Sequence, residues 1–192
     1  HLPLTKEAQE EAEKIMLSSL NLLKPATGEP ITAPKNDIVL GCFLITKIFD
    51  GFKGEGKIFA SPQEAILSYQ FREVDLRAKI KVRLPKSKIP DQTSNLLETC
   101  VGRIILNEVL PGKMPFINEE MNKKALQKLA SQLIGDFGVE VAAPVLDKIK
   151  HIGFEYATRL GLSWGMDDLI VPENKPQLIK EAEKEVETAH QH

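Results

Sequence analysis

The apolar and polar residues of this chain fall into two kinds of stretch: long runs at helical period, and short runs broken by proline and glycine. The first run, LTKEAQEEAEKIMLSSLNLL, places Ala8, Ala12, Ile15, Met16 and Leu20 at helical spacing, which predicts one amphipathic helix. Thr5 is its N-cap, and acidic residues follow in the early turns, where the helix dipole favours them. KPATGEPITAPKND is dense in proline, threonine and glycine and must be irregular. Asp37 is placed to cap a second helix, IVLGCFLIT, which is apolar on nearly every side and therefore buried.

FDGFKGEGKIF has the glycines of a phosphate loop, but no GK[ST] closes it, so a hairpin or turn leading into a strand KIFA is the reading. In SPQEAILSY, Ser61 and Glu64 have capping-box spacing and Pro62 stands at the first helical position, which predicts a short helix. AKIKVRL alternates apolar and basic residues as a half-exposed strand does, with Lys79, Lys81 and Arg83 on its solvated face. PKSKIPDQTSN reads as a loop. LLETCVGRIILNEVL reads as a strand edge that turns at Gly102 into a short helix, and PGKMPFIN as another irregular stretch.

From Asn122 the helical period is strong. Leu126, Leu129, Ala130, Leu133 and Phe137 share one face, with Gly138 as the stop. Ala142, Val145, Leu146, Ile149, Ile152 and Tyr156 form the stripe of a following helix, and Pro144 lies near its start, where proline costs least. After the turn GLSWGMDD, the end of the chain is a charged helix with a thin stripe of Leu178, Ala182 and Val186. Such a helix projects, with its partner elsewhere. No internal repeat is visible. The fold class is α+β and predominantly helical, with small β elements and long irregular loops.

Composition narrows the function classes. At 192 residues, 42% hydrophobic and 27% charged, the chain makes one domain or two small ones sharing a core. A net charge of -2 gives the whole chain no reason to coat nucleic acid. Cys42 and Cys100 stand in apolar runs without CxxC spacing or a nearby histidine, which argues against a zinc knuckle and for two buried thiols in a reducing cytosol. No uninterrupted apolar run approaches the roughly 20 residues of a membrane span, and no basic-then-apolar leader opens the chain. It opens on HLPL, as a fragment or a processed chain would.

Asp167 and Asp168 are the one carboxylate pair that invites a metal. Adjacent side chains diverge by about 100° on a helix and to opposite faces on a strand, and oxygen-ligand sites want more ligands at alternating positions. Capping the following turn is the commoner use of such residues. A small metal-dependent hydrolase built on this pair is the weakest alternative. His1, His190 and His192 lie at the ends, and His151 has no partner in sight. No catalytic residue and no metal-ligand set emerges from the residues alone.

HLPL, EAQEEAEKIMLSS, NLLKPATGEPITAPKND, VLGCFLIT, TCVGRIILNEVLP, GFEYATRLG and SWGMDDLIVP, taken in order, resemble the largest subunit, β′, of bacterial-type DNA-directed RNA polymerases. The resemblance covers almost the whole chain. It implies that residues 1–118 belong to the pore region of β′ and residues 119–192 to the funnel region, with the last helix as the first arm of the rim-helix hairpin at the mouth of the secondary channel. It implies two-metal nucleotidyl transfer in the intact enzyme, with magnesium held by an N-A-D-F-D-G-D motif upstream of residue 1, no cofactor in this segment, and no activity for the segment alone.

The partners implied are the rest of β′, the β and other subunits, DNA and RNA through the intact complex, and transcript-cleavage factors at the rim helix. The implied location is the cytoplasm, with no membrane. Asn36 and Asp37 match the nucleotide-proximal P-S-Q-D of relatives. Asn36 replaces the glutamine with an amide about one methylene shorter, and Leu20 replaces a second asparagine. Gly161, Ser163, Gly165 and Asp168 match a recurrent pattern and read as a structural turn in which Ser163 and Asp168 tie backbone amides. The alternative class is a stand-alone interaction scaffold derived from the same fold.

Overall fold

Apolar spacing and caps build the elements in the computed structural model, which describes residues 2–90 and 94–190. His1, Asp91 to Thr93, Gln191 and His192 lie outside the described residues, as do the middle of the PKSKIPDQTSN loop and two of the terminal histidines. The chain forms two compact units, His1–Gly161 and Leu162–His192.

In the first unit, Thr5 caps helix α1 (Lys6–Glu11) by accepting from the Ala8 amide at 3.2 Å. The helix does not run on to residue 23 as the apolar stripe suggests. It passes into a π segment, Ala12–Met16, and breaks at Leu17, whose φ/ψ of -57°/128° is extended. None of these residues is buried, and Ile15 and Met16 are 62% and 73% exposed. Most helical stability comes from packing the apolar face, and among the described residues none buries Ile15 or Met16.

Helix α2 (Asp37–Thr46) is buried, as its all-round apolar surface predicts: Gly41, Cys42, Leu44, Ile45 and Thr46 are inaccessible or nearly so. Strand β1 (Ile58–Phe59) has only two residues and pairs in parallel with β2 (Ile80–Arg83). Helix α3 (Pro62–Gln70) makes the crossover between them. Ser61 accepts from the Glu64 amide at 3.2 Å, and Glu64 reaches back to the amide of Ala60 instead of that of Ser61, at 2.7 Å. The capping box therefore closes one residue further out than its spacing suggests. Strand β3 (Leu96–Thr99) completes the sheet in antiparallel register, Ile80 opposite Thr99 and Val82 opposite Leu97. Ile80 and Val82 point into the core while Lys81 and Arg83 face solvent, which is the alternation read from AKIKVRL. Helix α4 (Val101–Glu108) starts two residues after β3 ends.

Helix α5 (Lys123–Leu160) is capped by Asn122, which accepts from the Ala125 amide at 3.0 Å. Gly138, at φ/ψ of 76°/169°, breaks it into two arms. That corner of the map is essentially restricted to glycine. Its apolar face is taken up in two cores. One gathers Cys42, Leu106, Met121 and the α5 residues from Leu126 to Ile149; the other joins the sheet, α3 and the α5 residues Ile152 and Tyr156. By length and composition α5 also passes as a membrane span, but the core helix of a globular protein passes the same test. Where α2 crosses α5, Gly41 lies against Gly153: a Cβ at Gly41 would collide with the Gly153 carbonyl, and one at Gly153 would strike Ile38.

The second unit has a short 3-10 turn, Met166–Asp168, and helix α6 (Lys175–His190), which has no buried residue. Leu178, Ile179 and Val186 along it are about half exposed or more.

Candidate functional site

The irregular stretch before α2 is more ordered than its proline content suggests. Leu23 and Pro30 pair as a bridge, the Ile31 amide donates to Leu22 O at 2.8 Å, and the Lys24 amide to Glu29 O at 2.8 Å. A small hairpin results, and the chain then runs through buried Pro34 to Asn36. Asn36, not Asp37, occupies the N-cap of α2: its carbonyl accepts from the Leu40 amide at 3.0 Å, and Asp37 is the first helical residue. Neither side chain makes a cap bond, and both are exposed. Asp37 still places its charge in the first turn, where the helix dipole stabilises it. Asn36 sits at φ/ψ of 49°/-123°, a combination suited to glycine, and a side chain held there stores on the order of 1–3 kcal/mol of strain. Strain of that kind gathers at sites that bind or switch.

At the other end of α2 lies a buried polar group that local pattern did not reveal. Thr46, fully buried, donates through Oγ1 to Cys42 O at 2.7 Å and accepts from the Met121 amide at 2.9 Å. The Arg103 guanidinium, almost buried, donates to Thr46 O at 2.8 Å and to the carbonyl and Oδ1 of Asn118 at 2.9 and 3.0 Å. Asn107 exchanges two bonds with the Ile117 backbone at 2.8 Å each. Among the described residues Arg103 has no carboxylate partner. Its charge is dispersed over oxygen dipoles that fix residues 117–121 against α2 and α4. The threonine and arginine each meet partners far off in sequence, so spacing alone carried no signal.

A second group joins the loop after α2 to the turn that precedes β2. The Arg77 guanidinium lies over the rings of Phe49 and Phe52 at 4.8 and 5.1 Å, and Lys47 over Phe43 and Phe49 at 5.4 and 5.2 Å. Arg77 Nε is buried without a hydrogen-bond partner; the ring faces supply part of what it lacks.

The turn residues divide between the units. Gly161 ends α5 in the left-handed conformation, φ/ψ 56°/37°, a common helix stop. In the second unit Asp168 Oδ2 accepts from the Gly165 amide at 2.7 Å, and the Asp168 amide donates to Gly165 O at 3.2 Å. Ser163 and Asp167 are exposed and have no hydrogen bond among the described residues. No group of three histidine, cysteine or carboxylate side chains comes together among the described residues. Both thiols are buried. Burial pushes the Cys42 thiol up to about 12 and raises that of Cys100 as well, so neither is poised as a nucleophile.

The model of the family described as RNA polymerase Rpb1, domain 3, matches residues 21–169. The chain belongs to the RNA polymerase β′ family. It is 45% identical to the β′ subunit of a DNA-directed RNA polymerase from Sulfurihydrogenibium over 98% of its own length, and 41% identical to that of Pelotomaculum thermopropionicum over 100%. The same subunit of Caldicellulosiruptor saccharolyticus is 42% identical over 97%. The chain spans only 11%, 16% and 17% of these three relatives. The Rpb1 domain 3 match takes in the strained strap at Asn36, the buried polar group and the Gly161–Asp168 turn, and stops before α6, which the likeness to β′ subunits still covers.

Proposed function

We propose that the chain works as a segment of the β′ subunit of a cytoplasmic DNA-directed RNA polymerase, lining the secondary channel behind the active site. The supporting observation is its 41–45% identity to β′ subunits over nearly its whole length. On this reading residues 1–118 are pore and 119–192 funnel, names of position in the intact subunit that cut across the first of the two cores. Helix α6 is the first arm of the rim hairpin, where transcript-cleavage factors dock, and the other polymerase subunits cover the bare apolar residues. The magnesium that carries nucleotidyl transfer is held by aspartates of the intact subunit N-terminal to this segment, so the segment alone extends no RNA.

Asn36 and Asp37 lie near the incoming nucleotide on this reading. The strained backbone of Asn36 holds an unengaged amide out to solvent, as a presented ligand contact requires. The test is a graft: this segment replaces the corresponding residues of the Pelotomaculum thermopropionicum β′ subunit, and the assembled polymerase is assayed for RNA extension. Extension is expected, with Asn36→Gly raising KM for nucleotides. An assembled enzyme without extension, or an Asn36→Gly graft with unchanged KM and kcat, would sink the respective part of the proposal.

A further inference from the structure

Lys47 and Arg77 are both partly buried, and among the described residues neither enters an ion pair. Arg77 Nε is buried without a hydrogen-bond partner. The cations around them are better provided for. Lys53 donates to Arg72 O at 2.8 Å, Lys57 pairs with Glu73 at 3.8 Å and Lys79 with Glu98 at 3.1 Å. Lys81 and Arg83 are exposed and meet water. A partly buried cation without a carboxylate has lost hydration that the chain does not replace, so an anion brought to it restores a lost interaction.

The two cations share a fixed seat. Lys47 is the C-cap of α2, its amide donating to Phe43 O at 2.9 Å. Phe49 and Ala78 pair as a bridge, with the Phe49 amide donating to Arg77 O at 3.1 Å. The Arg77 amide donates to Asp75 Oδ1 at 3.0 Å, so the nearest carboxylate in sequence is engaged by backbone. Both cations lie over the Phe49 ring, Lys47 at 5.2 Å and Arg77 at 4.8 Å from its centre, and the Phe52 ring leans on that of Phe49 at 5.4 Å. Two like charges on one ring repel each other, and an anion between or above them relieves that repulsion. Platforms for single-stranded nucleic acid leave ring faces open for bases. Here Phe43, Phe49 and Phe52 each already carry a cation, and what the group offers outward is N–H donors. Arg77 presents a planar fork suited to a carboxylate, and Lys47 a point charge beside it.

We propose that Lys47 and Arg77, seated on these phenylalanines, form a docking site for an acidic peptide segment of a partner protein. The inference stands apart from the polymerase reading and concerns the first unit alone. The experiment is fluorescence anisotropy of labelled hexaglutamate, hexaglutamine and hexauridylate titrated with the full chain. Hexaglutamate is expected to bind, although the chain itself has a net charge of -2, and hexaglutamine not to bind. Lys47→Gln/Arg77→Gln should weaken hexaglutamate binding by about tenfold. Lys124→Gln/Lys148→Gln, which removes the same charge at two exposed positions, should leave it unchanged. Phe49→Leu keeps every charge and removes the shared seat, and it too should weaken binding, by about threefold or more. Hexauridylate bound as tightly as hexaglutamate would make this a nucleic-acid surface and overturn the proposal. So would the absence of hexaglutamate binding by the parent chain, which is decided without any variant, or equal losses in the two double variants.

Discussion

The Thr46 hydroxyl stands where α2, α4 and the segment leading to α5 meet. It is fully buried, and the Met121 amide it receives lies 75 residues further along the chain. Thr46→Val keeps the shape, removes the acceptor and leaves that amide buried without a partner. A loss of about 1–3 kcal/mol is expected, read as a lower urea midpoint with an unchanged slope; a midpoint equal to the parent's would show that the hub carries no stability. The residue scale is also where the sequence was least legible. The burial of Cys42 and Cys100 could be read from the apolar runs around them, and the exposure of Lys81 and Arg83 from their alternation. The partners of Thr46, Arg103 and Arg77 could not, because each is supplied by a piece of chain whose position only the tertiary fold determines. Asp37 was misread for a related reason: capping statistics favour aspartate, but here the ladder begins at the carbonyl of the residue before it.

Among the elements, α5 offers an internal comparison. Gly135 and Gly138 lie three residues apart in the same helix, both exposed, and a Cβ at either would meet nothing within 4 Å. Only Gly138 has a positive φ. Gly135→Ala should therefore stabilise the chain by about 1 kcal/mol through helix propensity, whereas Gly138→Ala should cost on the order of 1–3 kcal/mol through backbone strain. Denaturant unfolding of the two variants checks the signs; shifts in the same direction would mean that the break at Gly138 is not held in solution. The two stripes of α5 and the stop between them were readable in advance because they depend on local period and one glycine. The first helix was not, since its stripe promises a packed face that the described residues do not bury. Strand β1 was too short for any pattern to specify its parallel pairing.

At the scale of the whole molecule, protons are coupled to folding. Burial raises the Cys42 thiol to about 12 from an ordinary 9.0, and the Tyr156 hydroxyl to about 12 from 10.0; Cys100 also moves up. Groups whose pKa is raised by folding contribute stability that is complete below the unfolded value and is lost as pH climbs toward the folded one. Thermal midpoints should thus hold up to about pH 9 and then fall. The fall should be shallower in Cys42→Ala than in the parent, whatever the starting midpoints; equal slopes between pH 9 and 11 would contradict the burial of this thiol. The family of the chain was legible from the order of its motifs along nearly the whole sequence.

The crossing of Gly41 and Gly153 puts a limit on how this chain can vary. Each position faces backbone, which cannot step aside as a side-chain tip can. Enlarging either residue alone pushes α2 off α5, and enlarging both pushes it further, so no second change rescues the first. Most core positions can trade volume with a neighbour and drift along many paths. These two cannot: a library randomised at codons 41 and 153 and sorted for folded protein would return a single solution, a fixed point around which the rest of the sequence is free to wander.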